Sequence, residues 1–154
     1  MIKPNNDDKF DIDLSQLNNR IDTSAPFTDS EKPSLELIDK FISTRHELKN
    51  QMSALSTNNF YVEYGMEYTH KPKHISGILK SEAEFQTYTV GDMLFSFSTD
   101  FIKYLFDNRK KLKLDEKKKN DTNYIAHGFL IPIDRMMELY SNYRKDLILK
   151  SIKK

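Results

Sequence analysis

The stretch Phe60-Tyr61-Val62-Glu63-Tyr64-Gly65-Met66-Glu67-Tyr68 decides how this chain is read, because apolar or aromatic side chains recur at every second position. Successive side chains of an extended strand point to opposite faces, so a period of two marks a half-buried β-strand. Phe60, Val62, Tyr64, Met66 and Tyr68 fall on one face, and Tyr61, Glu63, Gly65 and Glu67 on the other. A helix would scatter the first five around its circumference.

The same period appears downstream, twice over. Gly91-Asp92 is a two-residue loop of the glycine-first kind, and pairing outward from it sets Val90 opposite Met93 and Tyr88 opposite Phe95, with Phe97 on their face. Thr87, Thr89, Leu94, Ser96 and Ser98 then share the other face. Ser98-Thr99-Asp100 supplies N-cap residue types, so a helix is predicted to begin there. Its wide apolar face is Phe101, Ile102, Tyr104, Leu105 and Phe106. Beyond it, Arg109 to Lys113 complement a helix C-terminus, and Lys117 to Lys119 read as a solvated loop. Asn123 to Ile133 reads as a last strand, whose Pro132 has no donor for a ladder and places that end at a sheet edge or a strand exit. Asp134 is then expected to cap a final helix carrying Met136, Met137, Leu139, Tyr140, Tyr143 and Leu147.

Upstream of the opening stretch, Pro33 suits a first helical turn, and Leu35, Ile38, Phe41, Ile42, Leu48, Met52 and Leu55 recur at helical spacing. That predicts one helix running to Ser56-Thr57-Asn58-Asn59. Thr69 to His74 reads as a basic turn. The fold class expected is α+β: a small, mostly antiparallel sheet packed against two or three helices, with an extended N-terminal arm. The arm is residues 1–30, and residues 31–154 form a single domain.

The arm is polar, and alone it buries too little apolar surface to offset its ordering entropy. Within it, Phe10-Asp11-Ile12-Asp13-Leu14-Ser15 alternates apolar and polar residues, with Leu17, Ile21 and Phe27 as later anchors. Such a segment suits addition as a strand to a neighbour's sheet edge, its alternate side chains dropping into pockets. Phe10, Ile12, Leu14, Leu17, Ile21 and Phe27 are therefore the candidate partner-binding residues.

Composition narrows the chemistry. With 24 basic and 23 acidic residues, a formal charge of +1 gives no global pull toward nucleic acid or acidic membrane. The absence of cysteine excludes disulfides, thiolate metal sites and cysteine nucleophiles. No run reaches the ~18 apolar residues of a membrane span, and Met-Ile-Lys-Pro-Asn-Asn-Asp-Asp offers no apolar signal-peptide core. A soluble, cytoplasmic product is expected. The four glycines are too scattered for a phosphate cradle, Pro72 breaks the helical spacing of His70 and His74, and Glu63 with Glu67 reads as a solvated carboxylate pair. Hence no catalytic residue, metal or cofactor is expected.

The expectation is a non-catalytic assembly subunit whose partners are copies of itself or other subunits of a larger complex. Abundant Lys, Asn, Ile and Asp point to an AT-rich genome and so to a bacteriophage virion component such as a connector, ring or tail protein. The alternative is a small regulator or inhibitor that binds nucleic acid or a host protein through a basic patch of Lys71, Lys73, Arg109, Lys110, Lys111, Lys113, Lys117, Lys118 and Lys119.

Overall fold

The structure is a computed structural model that describes residues 29–153. The arm anchors Phe10, Ile12, Leu14, Leu17, Ile21 and Phe27 lie outside the described residues. After a 3-10 turn at Asp29–Glu31 come helix α1 (Lys32–Ser43), strand β1 (His46–Asn50), the single-turn helix α2 (Ala54–Thr57), β2 (Asn59–Tyr68) and β3 (Lys71–Ile75). Then follow β4 (Phe85–Val90), β5 (Met93–Ser98), α3 (Thr99–Asp107), β6 (Glu116–Asn120), β7 (Tyr124–Pro132) and α4 (Met136–Ile152). The class is α+β, as the sequence predicts. Its strands divide between two sheets, ordered β1-β4-β5 and β3-β2-β7-β6. Every pairing is antiparallel except the parallel one between β1 and β4.

Phe60 is the meeting point of the two sheets. Its ring lies 5.0 Å from Tyr88, 5.1 Å from Phe95 and 5.9 Å from Phe97, so the inner face of the β4–β5 hairpin packs on the β2–β7 face that carries Phe60, Val62, Phe129 and Ile131. The hairpin has the predicted register, Val90 against Met93 and Tyr88 against Phe95. Gly91 takes φ +62° at its first loop position, where a side chain would be strained. α3 starts where the cap residues stand: the Phe101 amide donates to Ser98 Oγ at 3.2 Å. Phe101, Ile102 and Leu105 are fully buried, and burying such a side chain contributes about 1.5–3 kcal/mol. α4 adds Met136 and Leu139 to the same core.

A β-bulge in β2 changes the reading of the opening stretch. Glu63 pairs with Gly128 and Gly65 with His127, which leaves Tyr64 without a ladder partner on β7. An extra residue reverses the alternation beyond it. Phe60, Val62 and the bulged Tyr64 belong to the core, whereas Met66 and Tyr68, opposite Ala126 and Tyr124, fall on the outer face. For the same reason Glu63 and Glu67 lie on opposite faces. The Ser76 amide donates to the Tyr64 carbonyl at 3.1 Å, satisfying the bulge. Next to it, Gly77 adopts φ +52°, and a Cβ there would sit 2.2 Å from the Glu63 carbonyl oxygen.

Four expectations are corrected. The first helix ends at Ser43, where Thr44 turns extended and its Oγ1 donates to the Lys40 carbonyl at 2.8 Å. Residues 46–50 pair with β4 instead, and Leu48, Met52 and Leu55, which continue the helical spacing, are exposed. The basic turn after β2 is shorter than expected, because Lys71 to Ile75 pair as β3, with Pro72 tolerated on a sheet edge. Lys117 to Lys119 form edge strand β6 rather than a loop; lysines on an outer strand discourage further pairing. Last, Asp134 sits in a 3-10 turn ahead of α4, which has no side-chain cap. Pro132 stands at the exit of β7, one of the two places expected for it, and β7 itself is interior.

The two sheets are also tied by one side chain. Gln51, buried, accepts from the Tyr61 amide at 3.1 Å and donates to the Tyr61 carbonyl at 3.0 Å. Its own amide donates to Thr89 of β4 at 2.8 Å. A single amide group thus occupies the place of a missing neighbour strand on β2.

Candidate interaction surface

α1 rests on the outer face of the three-stranded sheet through an aromatic contact. The His46 ring stacks on Phe85 at 5.3 Å and meets Phe41 of α1 edge-on at 4.2 Å. His46 Nε2 bonds to the Phe41 carbonyl and Nδ1 to Thr87 Oγ1 at 3.1 Å. His46, which the sequence offers only as a helix residue, is the latch between α1 and the sheet. Even so, none of the twelve residues of α1 is buried.

Beside α1 runs a groove of about 330 Å³ lined by Leu37, Phe97, Phe101, Met136, Met137 and Tyr140. Met137 is 77% exposed, and Tyr140 stands edge-on to Phe101 at 5.3 Å. By register Leu48 and Leu94 lie on the same outer sheet face, and both are exposed. β1 ends the strand order, so one of its edges carries no ladder within its sheet. Exposed apolar side chains and an open strand edge are both features of protein docking sites.

The basic residues that the sequence groups together do not form one patch. Arg109 is consumed internally: Nε donates to Glu116 Oε1 at 2.7 Å, Nη1 to the Phe106 carbonyl at 2.8 Å, and the guanidinium lies over Phe106 at 4.2 Å. Arg109 also holds the Glu116 carboxyl below its usual range, helped by the Tyr64 hydroxyl, which donates to it at 3.2 Å. Lys110, Lys111 and Lys113 lie in the turns that follow α3. Lys71 and Lys73 are on β3, and Lys117, Lys118 and Lys119 on β6, the two opposite edges of one sheet. Alternation along β6, and a register shift in the pairing of β2 with β3, separate them again. Lys73 and Lys118 lie on the face of His127, while Lys117 and Lys119 lie on the outer face with Tyr68 and Lys71.

That outer face is aromatic. The Tyr61 ring lies flat over Gly128, so close that a Cβ there would be 2.4 Å from Tyr61 Cζ. Lys119 Nζ stands 4.0 Å above the same ring, and burial together with Lys117 lowers its pKa. The Tyr61 hydroxyl is buried without a hydrogen-bond partner, and burial, then Glu63, pushes it up to about 12. Farther along, Tyr68 stacks on His74 at 5.4 Å and meets Tyr124 at 6.1 Å, with Lys71 Nζ 5.9 Å from its centroid.

Sequence reading missed one contact altogether. His127, buried, places Nε2 3.1 Å from Oε2 of the half-exposed Glu67. The bulge brings them to one face, and Gly65 was the available signal, since glycine inside a strand often marks a bulge. Among the described residues, no group of three or more His, Asp or Glu side chains is placed to hold a metal ion, and no helix is long and apolar enough to cross a membrane. Comparison with protein-family models, with curated proteins and with solved structures found no match.

Proposed function

We propose that this chain is a non-catalytic assembly subunit that joins copies of itself, or other subunits, through the surface around α1. The observation that carries the reading is an amphipathic helix with no buried residue, set beside an apolar groove and a strand with an open edge. The strand-adding segment expected over residues 10–15, with Phe10, Ile12 and Leu14 as its apolar residues, is the partner element for the β1 edge of a neighbouring copy. Leu17, Ile21 and Phe27 are the further apolar residues of that arm available to a neighbour's surface, and the groove lined by Leu37, Met137 and Tyr140 is an apolar surface that could receive them. A bacteriophage connector, ring or tail protein is the form that the Lys- and Asn-rich composition favours.

Co-expression of tagged and untagged copies tests this. Untagged chain should co-purify with tagged chain, and Leu48→Asp together with Leu94→Asp should abolish the association while leaving the circular dichroism spectrum intact. Undiminished co-purification of that variant would refute the proposed surface. The aromatic, lysine-bearing sheet face favours a second reading, contact with nucleic acid.

A further inference from the structure

We infer that the outer face of the four-stranded sheet binds single-stranded nucleic acid, with bases stacking on Tyr68 and Tyr124 and phosphates held by Lys71, Lys117 and Lys119. None of these five residues lines the groove at α1, so the inference stands apart from the assembly proposal.

The face is assembled from four strands by register. Tyr68 and Tyr124 are opposite each other on β2 and β7, Lys119 is opposite Ala126, Lys117 is opposite Gly128, and Lys71 is opposite Tyr68. Tyr68 is exposed, its ring already stacked at 8° on His74, itself exposed. Ring faces presented on a sheet, with cations at the margin, suit unpaired bases, whose π-faces are free. A duplex hides those faces, and a purely acidic protein surface would have no use for the rings. Lysines that only guard a sheet edge against pairing need no aromatic partners, yet here Lys71 and Lys119 stand over tyrosine rings. Of the carboxylates on β2, Glu67 is turned to the other face toward His127. Glu63 is on this face, where it accepts a hydrogen bond from Ser76 Oγ at 2.8 Å and stands as one negative charge against the three lysines.

Alternation along β6 and the register shift on β3 supply the control. Lys118 and Lys73 are as basic as Lys119 and Lys71 and sit on the same edge strands, but on the opposite face. The test uses the full chain and fluorescence anisotropy with fluorescein-labelled oligo(dT) and oligo(U) of about 12 nucleotides, and with a duplex of equal length. Single strands should bind and the duplex should not, with the two oligonucleotides reporting whether DNA or RNA is preferred. Three neutralised phosphates predict affinity roughly 20-fold weaker at about 200 mM than at about 50 mM salt. Tyr68→Ala or Tyr124→Ala should each weaken binding roughly tenfold, whereas Tyr68→Phe, which keeps the stack, should change it less than about twofold. Lys119→Gln should weaken binding and Lys118→Gln should not. Failure of both oligonucleotides to bind at low salt overturns the inference. So does equal loss for Lys118→Gln and Lys119→Gln, or loss in the lysine variants with no loss in either tyrosine-to-alanine variant, since these outcomes describe adhesion of any polyanion.

Discussion

Replacing Gln51 tests how the two sheets are held together. In Gln51→Ala the β1 backbone is unchanged and the Gln51 amide can still donate to Thr89, but the Tyr61 amide and carbonyl both lose their partner. Each buried backbone group left unpaired costs about 1–3 kcal/mol. With two such groups the expected loss is about 2–6 kcal/mol, a large share of the roughly 5–15 kcal/mol typical of a domain. Gln51→Met, which fills similar space without polar atoms, should lose nearly as much, which separates hydrogen bonding from packing. Gln51→Glu adds a pH signature. The ionised carboxylate can accept from the Tyr61 amide but has no proton for the carbonyl, whereas the protonated acid can make both bonds. The fold therefore raises the pKa of the introduced carboxyl. Its deficit is smallest below the unfolded value of about 4.3 and grows as pH rises through the folded value. Urea unfolding followed by circular dichroism, with the slope unchanged, reads all three variants. A loss below about 0.5 kcal/mol in Gln51→Ala would mean that this side chain is not a structural tie.

Tyr61→Phe removes a buried hydroxyl that has no partner, so urea midpoints at neutral pH should stay level or rise by up to about 1 kcal/mol equivalent. The Tyr61 phenol is pushed up to about 12, so the fold favours its neutral form. That contribution is complete below the unfolded value of about 10 and is lost as pH rises toward the folded one, and Tyr61→Phe should soften this alkaline decline. His46→Ala should release α1, seen by hydrogen exchange as lost amide protection in residues 32–43, with global stability changed by less than about 1 kcal/mol. Because Arg109 lowers the Glu116 pKa, that pair stabilises above the unfolded carboxyl value and fades as pH falls through the folded one. Arg109→Gln should cost about 1 kcal/mol at neutral pH, mainly through lost ring stacking, and should flatten the acid limb of a thermal melting series.

Local patterns carried the parts of the fold in which a segment's own residues choose its partner. The β4–β5 hairpin was legible to the residue because Gly91-Asp92 fixes the turn and the turn fixes the register. The Ser98 cap likewise announced α3. What escaped was decided at a distance. β1 reads as helix because Leu48, Met52 and Leu55 keep helical spacing, yet pairing with β4 overrides it. β6, Glu-Lys-Lys-Lys-Asn, has no apolar residue to signal a strand and exists because β7 offers it an edge. The unpaired Tyr64 then redistributed every residue beyond it, separating Glu63 from Glu67 and creating the contact of Glu67 with His127. Of the nine basic residues named from sequence, Lys71, Lys73, Lys117, Lys118 and Lys119 are divided between two sheet faces by strand pairing, a property of the backbone that charge spacing does not reveal, while Arg109, Lys110, Lys111 and Lys113 lie in the turns after α3.

The assembly proposal meets its most direct test in the native mass of the intact chain, measured by light scattering after size exclusion, beside that of the full-length variant carrying Phe10→Asp, Ile12→Asp and Leu14→Asp. The account predicts a multimer for the former and a folded monomer for the latter. A monomeric intact chain, or a variant that keeps the multimeric mass, would contradict it.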